Sequence, residues 1–285
     1  MSTADLPRYP AQWLDLRERA DAAARAVELL DPLRHYLAGA PRPAGGWVIR
    51  DLGCGTGSLA RWLAPRLTGP QHWILHDHDP DLLALAATRM PATAADGSRI
   101  TAETQQGDIA GLTAADLAGT SLVTASALLD LLTKDEVGEL AGACAVARCP
   151  ALLALSVTGR VELTPADPLD AGIGDAFNAH QRRSEHGRAL LGPDAVTAAG
   201  EAFTLRDATV RVRPSPWRLG AAEFALTARW LEGWTGAALD QRPDLAPQLD
   251  DYLRRRQATC SAGALAAVVH HSDLLALPRR TGGGL

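Results

Sequence analysis

The sequence predicts an α/β fold in which a mostly parallel sheet is covered by helices on both faces. Three observations carry this expectation. From Trp47 onward, short apolar runs alternate with helical patterns; a glycine-rich turn, DLGCGTG at residues 51–57, directly follows the first apolar run; and capped helix starts recur after the later runs. Parallel neighbours need a crossover of a dozen or more residues, so such alternation puts helices on both faces.

The elements follow in chain order. Near Ala11 an amphipathic helix begins, with Leu16, Ala20, Ala23, Val27 and Leu30 at helical spacing and Arg17, Glu18 and Asp21 on the other side. Asp31-Pro32 reads as an N-cap followed by proline at the first helical position, which predicts a second short helix ending at Gly39. Residues 41–46 form a linker. Strands are expected near 47–52, 72–77, 99–105, 121–126 and 151–157, with helices in the gaps. Asp79-Pro80 starts one helix, and the Thr133-x-x-Glu136 spacing allows a reciprocal capping box at another. Each cap is worth about 1 kcal/mol, enough to place a helix end but not to choose a fold.

After Val157 the alternation loosens through 158–192, around a helix containing Phe177 and His180. A helix from Pro193 leads to a strand near 204–212, which the run 213–220 ends. Two helices, near 221–234 and 245–262, then precede a last strand at 264–277. A helical pair is a large insertion for a strand connection, since hairpin loops run about 2 to 5 residues, and insertions of that size tend to be functional. No internal repeat is found, and the tail at Gly282–Gly284 is expected to be disordered.

A chain of 285 residues with 47% hydrophobic content can bury a substantial core, as one enlarged domain or two small ones. Its net charge of -5 provides no global field toward nucleic acid or an anionic membrane. Only Lys134 among the 28 basic residues is a lysine, a bias that points to base composition and not to function. Cys54, Cys144, Cys149 and Cys260 are scattered, with neither a disulfide framework nor a metal-binding pair, so a reducing, cytoplasmic setting is expected. There is no signal-like segment and no run of about 18 uncharged apolar residues. His76 and His78 are spaced like metal ligands, and His270-His271 stand together, but no third ligand is evident and no metal is expected.

The glycines at 53, 55 and 57 lie where a parallel strand turns into a helix, letting backbone approach a ligand that a Cβ would push away. Dinucleotide-binding domains share such a turn, but their pattern requires glycine or alanine where this chain has Ser58, and it seldom opens on an acid such as Asp51. Two more motifs follow successive strands: His76-Asp77-His78-Asp79-Pro80 and Gly107-Asp108-Ile109. With these three, residues 47 to about 160 resemble a class I S-adenosylmethionine (SAM)-dependent methyltransferase, and the strands at 204–212 and 264–277 fit that family's terminal antiparallel hairpin.

The resemblance implies a Rossmann-like, seven-stranded, mostly parallel sheet with an antiparallel last strand. It also implies SAM as cofactor and S-adenosylhomocysteine (SAH) as product. Asp51 would help hold the methionine part, with Gly53, Gly55 and Gly57 making room and Cys54 between them. Asp77 would accept the ribose hydroxyls beside His78. Gly107, Asp108 and Ile109 would take the adenine, and Ser126 would pass beside the methyl group.

Asp130, shortly after Ser126, is a candidate catalytic group, and His180 is the first candidate for a base. Methyl transfer from an activated sulfonium needs alignment first, worth up to about 7 to 11 kcal/mol in favourable systems, and a base only when the acceptor starts protonated. Trp13, Arg17, Asn178 and Trp217 are the candidate substrate-binding residues. The expected division is an N-terminal helical cap at 1–46 and a SAM-binding domain at 47–285, with the helical insertion at 213–263 covering the acceptor. The expected activity is methyl transfer to an oxygen or nitrogen of a small molecule, without nucleic acid or membrane, and a homodimer is left open. The alternatives are an RNA or protein methyltransferase and a SAM-binding regulator without catalysis.

Overall fold

The computed structural model describes residues 9–109, 111–185 and 187–279. The glycine tail expected to be disordered lies outside the described residues. Helices α1 (Ala11–Ala24) and α2 (Leu30–Ala38) lead into strand β1 (Trp47–Leu52), followed by α3 (Ser58–Leu63), β2 (Gln71–Asp77), α4 (Pro80–Thr88), β3 (Ile100–Gln106) and β4 (Leu122–Ser126). Next come α5 (Lys134–Ala147), β5 (Ala151–Thr164), α6 (Asp170–Gln181), the small hairpin β6 (Ser184–Glu185) and β7 (Arg188–Ala189), and α7 (Ala195–Thr204). The chain ends with β8 (Ala208–Pro214), β9 (Trp217–Leu219), α8 (Phe224–Gln241), α9 (Ala246–Ser261) and β10 (Ala266–Pro278).

The main sheet has the order β3-β2-β1-β4-β5-β10-β8, with β9 paired to β10 off that path. Strands β1 to β5 pair in parallel, and β10 runs antiparallel to β5, β8 and β9. The predicted mixed sheet with an antiparallel last strand is therefore observed, and the short β9 adds an eighth strand. The sheet order reverses between β1 and β4, and ligands of open α/β sheets sit outside the strand ends at such a reversal.

Both faces are covered. Leu33, Leu59, Leu63 and Leu83 from α2, α3 and α4 pack with Ile49 and Trp73 on one face, while Val137, Leu140, Ala199 and Phe203 from α5 and α7 pack with Val123 and Leu153 on the other. A third core joins α6, α8 and α9 to β9 and the first half of β10, through Ile173, Leu231, Tyr252 and Val269.

Two cap readings hold. Asp79 Oδ1 accepts from the backbone N–H of Asp81 and Leu82, and Thr133 and Glu136 form the reciprocal box. Asp31 does not cap α2: the helix already starts at Leu30, continuing a turn of 3-10 helix at Val27–Leu29, so Asp31 and Pro32 sit inside its first turn. No helix fills the gap between β3 and β4 among the described residues. Strand β5 runs to Thr164 instead of stopping near Val157: Gly159 adopts φ +78° in a bulge against His270 and the pairing then resumes. Strand β8 starts at Ala208, later than expected, because α7 extends through Thr204.

Candidate active site

Strand β1 ends in a loop whose conformation demands glycine. Gly53 and Gly55 have φ of +58° and +54°. An added Cβ would also stand 3.1 Å from Leu128 Cδ1 and 3.0 Å from Leu14 Cδ1 respectively. Left-handed backbone costs a residue with a Cβ roughly 1–2 kcal/mol even where space is free. Asp77, at the end of β2, ties this loop down: its Oδ2 accepts from Gly55 N at 2.8 Å and its Oδ1 from Asp79 N at 3.0 Å. Oδ2 retains a second lone pair for a ligand hydroxyl, while Oδ1 also has His78 Nδ1 at 3.4 Å.

The loop opens onto a cavity of about 660 Å³ that extends past the ends of β4 and β5 to β10. That volume falls within the usual range for small-molecule sites, about 300–1,000 Å³. At the loop end, Asp51 is 1% exposed. Thr124 donates to its Oδ1 at 2.7 Å, while Oδ2 is buried without a partner. Burial pushes its carboxyl up to about 7, against the pull of Thr124 and Arg25. Thr56 Oγ1 and His78 Nε2 are likewise buried and unpartnered at this end. A carboxylate oxygen, a hydroxyl and an imidazole nitrogen thus await polar groups of a ligand, which fits the ammonium, carboxylate and ribose of SAM.

The structure brings Asp51, Gly53, Cys54, Gly55, Asp77, His78, Gly107, Ile109 and Ser126 together along the cavity. Gly57 stands one step back as the left-handed N-cap of α3. Asp108 is half-buried between two lining neighbours and does not line the cavity itself. Burial pushes the Cys54 thiol well up, so it lines the site as an uncharged group.

Sequence reasoning missed two residues at this end. Thr56 lay within the quoted glycine motif. Arg25 follows α1, is 3% exposed, and donates to Ser58 Oγ at 2.9 Å and Ser126 Oγ at 3.3 Å while lying over the Trp62 ring. Its spacing in sequence carried no signal, because its partners are 33 and 101 residues away.

The other end of the cavity is aromatic. Trp13 and Arg17 from α1, Phe177, His180 and Gln181 from α6, Trp230 and Trp234 from α8, Trp217 from β9 and His271 from β10 line it. Trp230 and Trp234 stack at 5.2 Å with 18° between planes, and Arg17 lies 4.9 Å from the Trp217 ring centre. Asp21, 4% exposed, accepts from Arg17 at 2.9 Å and from Trp217 Nε1 at 2.9 Å, so α1 and β9 form one wall. Trp13, Arg17 and Trp217 were each expected at the substrate, but strand β9 lies in the run expected only to terminate a strand, so the bond that joins Trp217 to Asp21 escaped the sequence.

Asn178 is a correction: it does not reach the cavity. Its Nδ2 donates to the Gly159 carbonyl at 2.8 Å, and its carboxamide fills the space beside the β5 bulge, where a Cβ on Gly159 would stand 2.8 Å from Asn178 Oδ1. Asp130, on a turn at Leu129–Leu131, and His180 both line the cavity. Burial raises the Asp130 carboxyl, with Arg17 and Arg183 opposing it. Burial, then the Arg183 charge, lowers His180 and so favours a neutral imidazole. Of the inserted pair, only α8 faces the cavity; α9 buttresses it from behind. Arg256 and Tyr252 of α9 both bond Asp170 at the start of α6, the tyrosine at 2.6 Å.

Among the described residues no group of His, Cys, Asp or Glu is arranged to hold a metal ion, and no helix is long and apolar enough to cross a membrane.

A methyltransferase-domain family model matches residues 49–148. No curated protein matches the sequence. Solved structures similar to the chain include a cyclopropane synthase of Mycobacterium tuberculosis, at 12% identity and TM-score 0.43 over 87% of this chain and 83% of that one. A SAM-dependent methyltransferase of Geobacter sulfurreducens in complex with SAH has 15% identity and TM-score 0.42, over 95% and 99%. A phosphoethanolamine N-methyltransferase of Haemonchus contortus in complex with SAM has 13% identity and TM-score 0.46, over 97% and 59%. The glycine loop, its two buried acids and the matched family together make residues 49–148 a class I SAM-dependent methyltransferase domain, with SAM as its cofactor.

Proposed function

We propose that the protein transfers the SAM methyl group to an oxygen or nitrogen of a small molecule bound in the aromatic end of the cavity. One observation carries this reading: the unpartnered Asp51 Oδ2 and the aromatic chamber belong to a single cavity. The bound cofactor supplies an activated methyl group. Asp51 holds its ammonium, Asp77 receives its ribose hydroxyls, Gly107 and Ile109 flank its adenine with Asp108 beside them, and Ser126 lies where the two ends of the cavity meet.

Trp13, Arg17 and Trp217 form the wall against which the acceptor rests. Helix α1 and the α8 part of 213–263 cover it and exclude water. His180, held neutral, takes the proton from an acceptor that starts protonated, and Asp130 lies beside the same path as a second polar group. An RNA or protein acceptor is disfavoured by the chamber, whose indoles suit a compact ligand. Four buried, unpaired cysteines support a reducing, cytoplasmic setting for it.

The test is SAH formation from SAM over a panel of small acceptors, with cofactor binding measured separately by calorimetry. Turnover on at least one acceptor, lost with Asp77→Ala, is expected. Binding of SAM that survives both Asp77→Ala and Gly55→Val would refute it, and tight SAM binding with no SAH formed on any acceptor would favour a regulator.

A further inference from the structure

We infer that the acceptor is an uncharged planar ring compound, clasped by indoles and read at its rim by Trp234 Nε1–H and the Gln181 carboxamide. The inference rests on the methyl-transfer reading for what becomes of that ligand.

The first support is where the aromatic rings fall. Of seven tryptophans, Trp13, Trp217, Trp230 and Trp234 all line the end of the cavity away from the glycine loop. Flat rings gain most from such walls, through stacked and edge-on contacts. Charge is the second support. Four arginines line the cavity, and each is paired within the chain: Arg17 to Asp21 at 2.9 Å, Arg160 to Glu162 at 2.6 Å, Arg183 to Glu185 at 3.1 Å and Arg229 to Glu232 at 2.8 Å. A carboxylate or phosphate on the acceptor would therefore meet guanidinium groups whose charge a carboxylate of the chain already offsets.

Unmade hydrogen bonds are the third support. Trp234 is 2% exposed, yet its Nε1 has no partner, and Gln181 Oε1 is buried without one. They come from α8 and α6, which pack together, and the two residues line the chamber with these atoms covered at its wall. A buried donor left unpaired is costly, so a ligand that supplies its acceptor gains by doing so. A neutral heterocycle with an acceptor and a donor on its rim answers both.

The test compares two probes of one shape by calorimetry, with and without SAH: 2-quinolinone, neutral with an NH–C=O edge, and quinoline-2-carboxylate. The quinolinone is expected to bind at least about tenfold tighter. Trp234→Phe keeps the ring and deletes the N–H, and Gln181→Met keeps the chain length and deletes the amide. Each should weaken the quinolinone about tenfold while SAH affinity changes less than twofold. The inference is overturned if the carboxylate binds as tightly, if both variants bind the quinolinone like the parent, or if SAH binds and neither probe does. Failure of SAH to bind would count against the methyl-transfer reading, while the titration without SAH still reports on the chamber.

Discussion

Replacing Asp51 by asparagine should abolish cofactor binding and yet stabilise the ligand-free protein at alkaline pH. The Asp51 carboxyl is pushed by burial from its ordinary 3.8 to about 7. Between those values the native protein retains a proton that the unfolded chain has released, so unfolding releases it and stability falls as pH rises across the window. The cost accumulates at about 1.4 kcal/mol per pH unit and reaches about 4 kcal/mol above pH 7. Asparagine carries no such charge and keeps an oxygen for Thr124, but it buries an unpaired N–H in place of Oδ2, at about 1–3 kcal/mol. The variant should therefore be about 1–3 kcal/mol more stable than the parent at pH 8 and no more stable at pH 5. Urea denaturation of the ligand-free proteins at several pH values measures the gap, and groups common to both cancel. A gap that does not widen between pH 5 and pH 8 would refute the assignment of a strained, ligand-awaiting carboxylate. In the parent, SAH affinity should fall about tenfold from pH 8 to pH 6 as Asp51 takes up its proton near 7.

The remaining expectations concern the loop, the buttress and the base. Gly55→Val forces a β-branched residue into φ +54° with its Cβ against Leu14, so SAH affinity should drop at least about tenfold by calorimetry, with about 1–3 kcal/mol lost in stability. Arg256→Leu leaves the Asp170 carboxylate without its buried guanidinium, and the loss should be about 3–5 kcal/mol in urea denaturation. His180→Ala should reduce turnover about 100-fold on a hydroxyl acceptor. Because His180 is lowered below 6.5, the parent's rate should be level above neutral pH and fall only in acid.

Much of the cofactor end was legible because it is written locally. Asp51, the glycines, Asp77 and Gly107 stand at successive strand ends, where fold and chemistry impose the same residues, and the caps at Asp79 and Thr133 act over three positions. At the acceptor end Trp13, Arg17, Trp217, Asp130 and His180 were named but not how they meet, because they come together only through tertiary packing. Trp217 reaches Asp21 across 196 residues, and at the cofactor end Arg25 likewise reaches Ser126 across 101. Asn178 looked available in sequence and is consumed by the bulge at Gly159. Alternation of exposure along the second half of β5 carries period two, where the pattern was expected to loosen after Val157.

The wall shared by α1 and β9 sets the charge preference of the chamber, which makes Asp21 a point of control. Asp21 neutralises Arg17 and also receives Trp217 Nε1–H, so α1 cannot leave the sheet without unpairing both. Three more ties hold the same segment: Glu18 to Arg61 at 2.6 Å, Asp15 to Arg89 at 2.5 Å, and Ala26 N to Asp273 at 2.8 Å. Asp21→Asn keeps an oxygen for Trp217 and the anchoring of α1, but leaves the Arg17 guanidinium unneutralised beside Trp13 and Trp217. Charged hydrogen bonds contribute about 1.5–3 kcal/mol, so the variant should gain about tenfold or more in affinity for quinoline-2-carboxylate. Its affinity for 2-quinolinone should stay near that of the parent. Calorimetry with the two probes reads the switch. If the carboxylate gains nothing, pairing of Arg17 is not what keeps anions out, and the preference must come from the shape of the indole walls.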